Sequence, residues 1–371
     1  MKRIGLILGV ALTLFALTWC PGAGVSAADT AAVSGPFAPE ELAKFRVLGP
    51  IDTHAHVFGA DPGFIAMLQK LNLHILDILV VDDMGPKPRT LDTQRREAMS
   101  LIRASHGYAV LCTSFDPFSF NHPGYAQTVI AGLNKDFADG AIAVKVWKNV
   151  GMEIKDSSGH YLMPDNPVFA PIWKDIADHN KTLVAHVADP DSGWLPLNPA
   201  SPDYEYYRDH PGAHMSGKSG VPSKAEILTA RDHLLEANPK LRVVGAHLGS
   251  MESNLKELGQ HLDKYPNFAV DIAARMPYLE MYPRDAMIAF ITKYQDRLIY
   301  GTDNDFSAGS HDSIEHLESV YANDWRYFAT SDNLAYKGKN LRGLALPEPI
   351  LRKIYHDNAV KWFPGILGSS H

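Results

Sequence analysis

The sequence predicts an α/β fold, a (β/α)8 TIM barrel with long strand-to-helix loops. Three observations predict it. Eight short apolar runs, near 49–54, 75–81, 108–114, 141–148, 182–188, 242–248, 268–273 and 298–303, alternate with longer amphipathic segments. Several of these runs are rich in Val, Ile and Leu and almost continuously apolar, as strands buried on both faces are. Polar, metal-capable side chains recur at their C-terminal ends, and in a closed barrel those ends share one mouth. An open doubly wound sheet is the alternative, but no glycine-rich phosphate loop follows the first run.

The chain starts with a segment read apart from the fold. Lys2 and Arg3 precede an apolar stretch from Ile4 to Leu17, and the small residues Val25-Ser26-Ala27-Ala28 follow. That order predicts a secretory signal peptide over residues 1–27 and an exported protein, periplasmic or secreted. The apolar stretch is short for a full membrane span, so no stable membrane insertion is expected after processing. Residues 28–46 read as a linker and lead-in, and 47–371 as the barrel domain.

Helical segments are expected at 62–71, 90–105, 125–136, 171–179, 223–237, 251–264 and 283–294. The fifth has the clearest start: Ser223 as N-cap, with Glu226 three residues on to complete a capping box. After the fifth run, residues 189–222 form a long connection carrying Trp194, Tyr204, Tyr206, Tyr207, Arg208, His210 and His214. Connections of this length are often functional lids. The alternative is a surface loop packed by its own aromatics.

Composition limits the function. With 46% apolar and 21% charged residues in 371, the chain can bury one large core. The net charge of -7, about -9 once Lys2 and Arg3 are removed, offers nothing to a polyanion, which excludes nucleic acid as a partner. Of the two cysteines, Cys20 lies in the leader and Cys112 in an apolar run, where it reads as core. A small-molecule substrate is expected, and a homo-oligomer is compatible with the sequence.

The chemistry lies at the strand ends. In Asp52-Thr53-His54-Ala55-His56, strand alternation puts His54 and His56 on one face, where they can chelate a divalent metal. With 17 histidines in the chain, about one His-x-His is expected by chance, so position carries the information. His186, His247 and Asp303 each end a later apolar run. Asp271 and Arg275, after the seventh run, either support the site, bind a substrate carboxylate, or form an ion pair at the rim. Asp116 is equally open, and Asp305 lies beyond its strand end.

These segments, with Val144-Lys145-Val146-Trp147-Lys148, Gly245-Ala246-His247-Leu248-Gly249, Tyr300-Gly301-Thr302-Asp303 and the closing Asn358-Ala359-Val360-Lys361-Trp362-Phe363, resemble the amidohydrolase superfamily. The likeness is to its amidohydrolase-related branch, which includes decarboxylases similar to aminocarboxymuconate-semialdehyde decarboxylase, and covers roughly residues 49–364. The resemblance implies that His54, His56, His186 and Asp303 bind one metal, by default zinc, with manganese or a binuclear site as alternatives. His247 would polarise the substrate or bind a second metal. Lys145 matches the position of a bridging carboxylated lysine; otherwise it is a substrate-facing cation or a strand-end charge. If Lys145 points inward, alternation sends Lys148 to the other face.

The function expected is hydrolysis of an amide, lactone or ester by metal-activated water, with Asp303 as base then acid and His247 stabilising the oxyanion. Arg275, Trp194 and Tyr207 are the substrate-contact candidates. Non-oxidative decarboxylation on the same metal is the alternative, and a barrel that binds without catalysis is the reading from another class.

Overall fold

The computed structural model describes residues 35–81, 90–307, 313–336 and 339–368. The leader read at 1–27 and the start of the lead-in lie outside these residues. Among the described residues no helix is long and apolar enough to cross a membrane.

Eight of the nine strands of the main sheet grow from the expected runs: β1 Ile51–Phe58, β2 His74–Ile78, β3 Ala109–Ser114, β4 Ala143–Val146, β5 Thr182–Ala185, β6 Arg242–Gly245, β7 Phe268–Asp271 and β8 Leu298–Ile299, with β9 Asn304–Ser307 completing the sheet. All pair in parallel, in the order β8-β7-β6-β5-β4-β3-β2-β1-β9. Of the run expected as a strand at 298–303 only Leu298–Ile299 is strand, and the ladder resumes beyond it at Asn304, after Asp303 has taken a left-handed backbone conformation (φ 66°). The barrel still closes there. β8 pairs with β7 and β9 with β1, and between them Thr53 N donates to Tyr300 O (3.1 Å) and Asp303 N to His54 O (2.7 Å). The β/α barrel is thus the observed architecture, not an open sheet.

The expected helices form with small shifts at their ends. Lys224–Ala237 carries the capping box: Glu226 N donates to Ser223 Oγ (3.2 Å), and Ser223 N to Glu226 Oε2 (2.7 Å). The sixth begins at Leu255 instead of 251, because the Asn254 side chain caps it by accepting from Glu257 N. Three features were not anticipated. Helix Pro39–Val47 occupies part of the lead-in and packs Phe45 edge-on against Trp325 and Tyr355. Helix Ile314–Ala329 and the antiparallel hairpin Asn333–Tyr336 with Lys339–Arg342 follow the barrel strands.

Side chains pointing into the barrel form a core of their own: Leu76, Ile78, Val110, Cys112, Val184, Val244, Ala269 and Ile299 among them. Its floor is supplied from the other end of the chain. Ala359, Trp362, Phe363 and Ile366 belong to this inner cluster, and Thr182 Oγ1, at the start of β5, donates to Trp362 O. Helix Asn358–Trp362 therefore stoppers the barrel at the N-terminal ends of its strands. Phe363→Ala should cost about 3–5 kcal/mol, since it opens a cavity at a fully buried site. A denaturant melt checks this, and a loss under 1 kcal/mol would contradict it.

β1 contains the local feature that aims the site. Ile51 points into the barrel core, whereas Ala55 and Val57 pack outward against the helices. Strict alternation from Ile51 would turn Ala55 and Val57 inward and His54 and His56 outward. Instead the register with β2 slips between Asp52 and Ala55, so three steps on β1 match two on β2. This bulge reverses the parity and turns both imidazoles inward.

Candidate metal centre

His54 and His56 lie in the middle of β1, not at its end, with ring centroids 5.4 Å apart. Each has one nitrogen committed. His56 Nδ1 donates to Ile78 O (2.8 Å), and His54 Nδ1 donates to Asp271 Oδ2 (2.9 Å). Their Nε2 atoms are left to converge on Asp303 Oδ1, which is 3.2 Å from each. Donor atoms bound about 2.0–2.2 Å from a zinc ion stand roughly 3–3.6 Å apart, so this spacing fits a shared cation.

Asp303 reaches the cluster through its left-handed backbone. Burial raises its pKa, but His247, His54 and His56 together outweigh that and hold the carboxyl ionised. Its side chain is 32% exposed, against 0% for His54 and 1% for Asp271. The open side of the cluster is therefore at Asp303.

His186 follows β5 and His247 follows β6, their ring centroids 4.4 Å apart. Both ring nitrogens of His186 are buried without a hydrogen bond, the nearest acceptor being Asp189 Oδ1 at 3.5 Å from Nε2. Burial lowers its pKa to about 3, so the ring is neutral and has a lone pair to offer. An orphaned, buried, neutral imidazole is what a metal ligand looks like before the ion is added. His247 Nδ1 donates to Ala273 O (2.9 Å), which leaves Nε2 as an acceptor; burial holds this ring neutral too. His247 and Leu248 both have positive φ, a strained turn of the kind that collects at functional sites.

Lys145 points inward from β4, fully buried, with Nζ 2.9 Å from His54 Nε2 and 4.8 Å from the Trp147 ring. Burial lowers its pKa to about 8. Lys148 does not share this environment. It reaches Asp189 (2.7 and 2.9 Å) and the Tyr206 hydroxyl (3.1 Å).

Three acids that the sequence reading passed over or left open set the frame. Asp271 is not paired with Arg275. Its two oxygens accept from His54 Nδ1 and from His247 N (2.7 Å), tying two candidate ligands together. Asp52 accepts from His54 N, Thr302 N, Thr302 Oγ1 and the Tyr321 hydroxyl, which fixes the chain just before Asp303 against β1. Glu252 is fully buried and is the acid nearest Arg275, at 3.7 Å. Position gave a signal for Asp52, which begins the His-x-His segment; nothing in the sequence marked Glu252.

The connection 189–222 is ordered, with a turn at Asp191–Gly193 and helix Tyr204–Asp209. Contacts with the mouth through Tyr206 and through Asp203, which accepts from the Tyr278 hydroxyl, favour the lid reading. Tyr207 is buried with its hydroxyl unpartnered, whereas Trp194 spends its indole N–H on Pro222 O (2.9 Å). Asp116 caps a turn at Phe118 and Ser119, and Asp305 is exposed on β9. Cys112 is inner core, and burial pushes its thiol pKa far up.

The family model for Amidohydrolase matches residues 51–365. The chain belongs to this amidohydrolase family. Solved structures are similar to it at low identity. The apo IDCase of Metarhizium anisopliae is 16% identical, with a TM-score of 0.50, over 83% of this chain and 78% of that one. The 2,6-dihydroxybenzoate decarboxylase from Rhizobium is 14% identical, TM-score 0.46, over 84% and 98%. The dihydroorotase of Campylobacter jejuni is 13% identical, TM-score 0.42, over 86% and 81%. No curated protein matches the chain. Within the amidohydrolase barrel, two groupings among the described residues can hold a metal, His54-His56-Asp303 and His54-His247-Asp271. Both use His54, and the second spends His54 Nδ1 on a hydrogen bond to Asp271. The first is the better cation site.

Proposed function

We propose that this amidohydrolase is a divalent-metal-dependent hydrolase that cleaves an amide, lactone or ester carbonyl of a small molecule. One observation carries the reading: His54 Nε2 and His56 Nε2 each lie 3.2 Å from Asp303 Oδ1, while the neutral His186 ring, free of hydrogen bonds, is 4.4 Å from that of His247, which is 4.7 Å from that of His54. His54, His56, His186 and Asp303 would hold the ion, which when bound supplies Lewis acidity and lowers the pKa of water. Asp303 is ionised and the most open of the group, so it can take a proton from water and return it to the leaving group. His247 has Nδ1 tied to Ala273 O and presents a fixed Nε2 to the same space. Asp271 and Asp52 hold the ligands in place and exchange no proton with substrate. The apolar leader supports action outside the cytoplasm.

The test begins with metal analysis of purified protein, followed by chelation and add-back of zinc or manganese. Activity is then scored over a panel of amides, lactones and aromatic acids, measuring hydrolysis product and carbon dioxide separately. Stoichiometric metal is expected, with hydrolysis falling about 100-fold or more on chelation and returning on add-back. Carbon dioxide release without hydrolysis would replace the reading with non-oxidative decarboxylation. Absence of bound metal, with no activity on add-back, would leave a barrel that binds without catalysis.

A further inference from the structure

The segment Gly245-Ala246-His247-Leu248-Gly249 leaves β6 by an uncommon backbone path. His247, Leu248, Gly249 and Ser250 have φ of 59°, 57°, 60° and 62°, one turn of left-handed helix. L-residues visit this region singly, and each non-glycine residue there is strained. Three of these four carry side chains, so the turn persists only because its surroundings over-determine it.

The glycines show how closely it is held. A Cβ on Gly245 would stand 2.8 Å from Gly249 Cα and 2.7 Å from the Phe268 ring, and one on Gly249 would stand 3.0 Å from the same ring. The turn thus folds back on the end of β6 and packs on Phe268. Over that ring, 4.8 Å from its centroid, lies the guanidinium of Arg231, from helix Lys224–Ala237. Arg231 is 1% exposed. Its Nε and Nη2 donate to Asp232 Oδ1 (3.2 and 2.8 Å), and Asp232 Oδ2 pairs with His261 Nε2 (3.0 Å). Nη1 is thereby aimed at the turn, where it donates to Gly249 O (2.9 Å). Other ties are His247 N to Asp271 Oδ1 and Ser250 Oγ to Ala188 O, two residues after His186.

We propose that Arg231 is a positioning residue for His247: from an outer helix it clamps the left-handed turn and so fixes where the imidazole Nε2 points. The consequence for catalysis rests on the proposed role of His247; the clamp itself does not. A lysine could supply one donor to Gly249 O, but not a plane that also bonds Asp232 and covers Phe268.

Arg231→Met and Arg231→Lys test this in metal-loaded protein, each in the wild-type and the His247→Ala backgrounds. In the wild-type background kcat should fall about 100-fold with Met and about 10-fold with Lys, with KM moving less than about threefold and metal content unchanged. In His247→Ala the same changes should cost under about twofold, since the residue they act through is gone. An arginine that merely stabilises the fold would lower both backgrounds alike. A second readout needs no turnover. Nitrogen NMR of the histidine rings should show His247, assigned by the loss of its signals in His247→Ala, as one tautomer with Nδ1 protonated, as its bond to Ala273 O requires. In a folded Arg231 variant those signals should broaden or move toward the other tautomer. If Arg231→Met does not fold, Arg231→Lys carries both readouts. Unchanged His247 signals, or equal losses in the two backgrounds, overturn the proposal. A perturbed His247 in a protein that hydrolyses nothing would leave the clamp standing and remove the hydrolase reading.

Discussion

Asp303→Asn should lower turnover at saturating metal by about 10²- to 10⁴-fold, the range for loss of a positioned general acid–base. The fold should survive, for a local reason. What Asp303 contributes to barrel closure is its backbone N–H to His54 O, and the amide variant keeps that bond. Its side chain is partly open and supports no core packing. The check is kcat with metal content measured in parallel, and a melt to verify folding. Full activity would remove Asp303 from the chemistry.

The second large effect is expected at a residue that need not touch the ion. Asp271 accepts on both oxygens, from His54 Nδ1 on one and from His247 N and Ala273 N on the other. Asparagine has one acceptor and one donor. Asp271→Asn must therefore aim an N–H at another N–H, freeing either the His54 ring or the turn that presents His247. Loss of such an orienting partner typically weakens metal affinity about 10- to 100-fold. Competition with a chelator of known affinity measures it. Unchanged affinity would show that the bulge and neighbouring packing suffice to orient His54.

Much of this was legible in the sequence because two physical signals coincide. Fully buried strands must be apolar throughout, so β3, β5, β6 and β7 stand out; and chemistry must sit where the strands open, so His186, His247 and Asp303 fall where the runs stop. The structure brings His247 and Asp303 together with His54, His56 and Lys145, and His186 joins them through its ring contact with His247. What was hidden depends on backbone irregularity and distance in the chain. The β1 bulge leaves no composition signal, yet without it His54 and His56 would face the helices. The strand read over 298–303 stops at Ile299, and β9, which begins just after the left-handed Asp303, lies beyond the run that the sequence marks. Asp271 looked like a rim partner for Arg275, four positions on; the barrel instead delivers it to His54, 217 positions away. Helix Pro39–Val47 was missed in a stretch read as a tether, since its packing partners Trp325 and Tyr355 lie nearly 300 residues on.

The stopper beneath the barrel has a bearing on how the protein is made. All nine strands of the sheet precede Phe363 and Ile366 in the chain, so the sheet can align while the cylinder's lower opening still admits water. The metal-ligand end is assembled from residues up to Asp303, but the dry interior beneath it is finished only when Phe363 and Ile366 are in place. Truncation by a dozen residues would spare every candidate ligand and still leave them standing on a wet, unsupported floor.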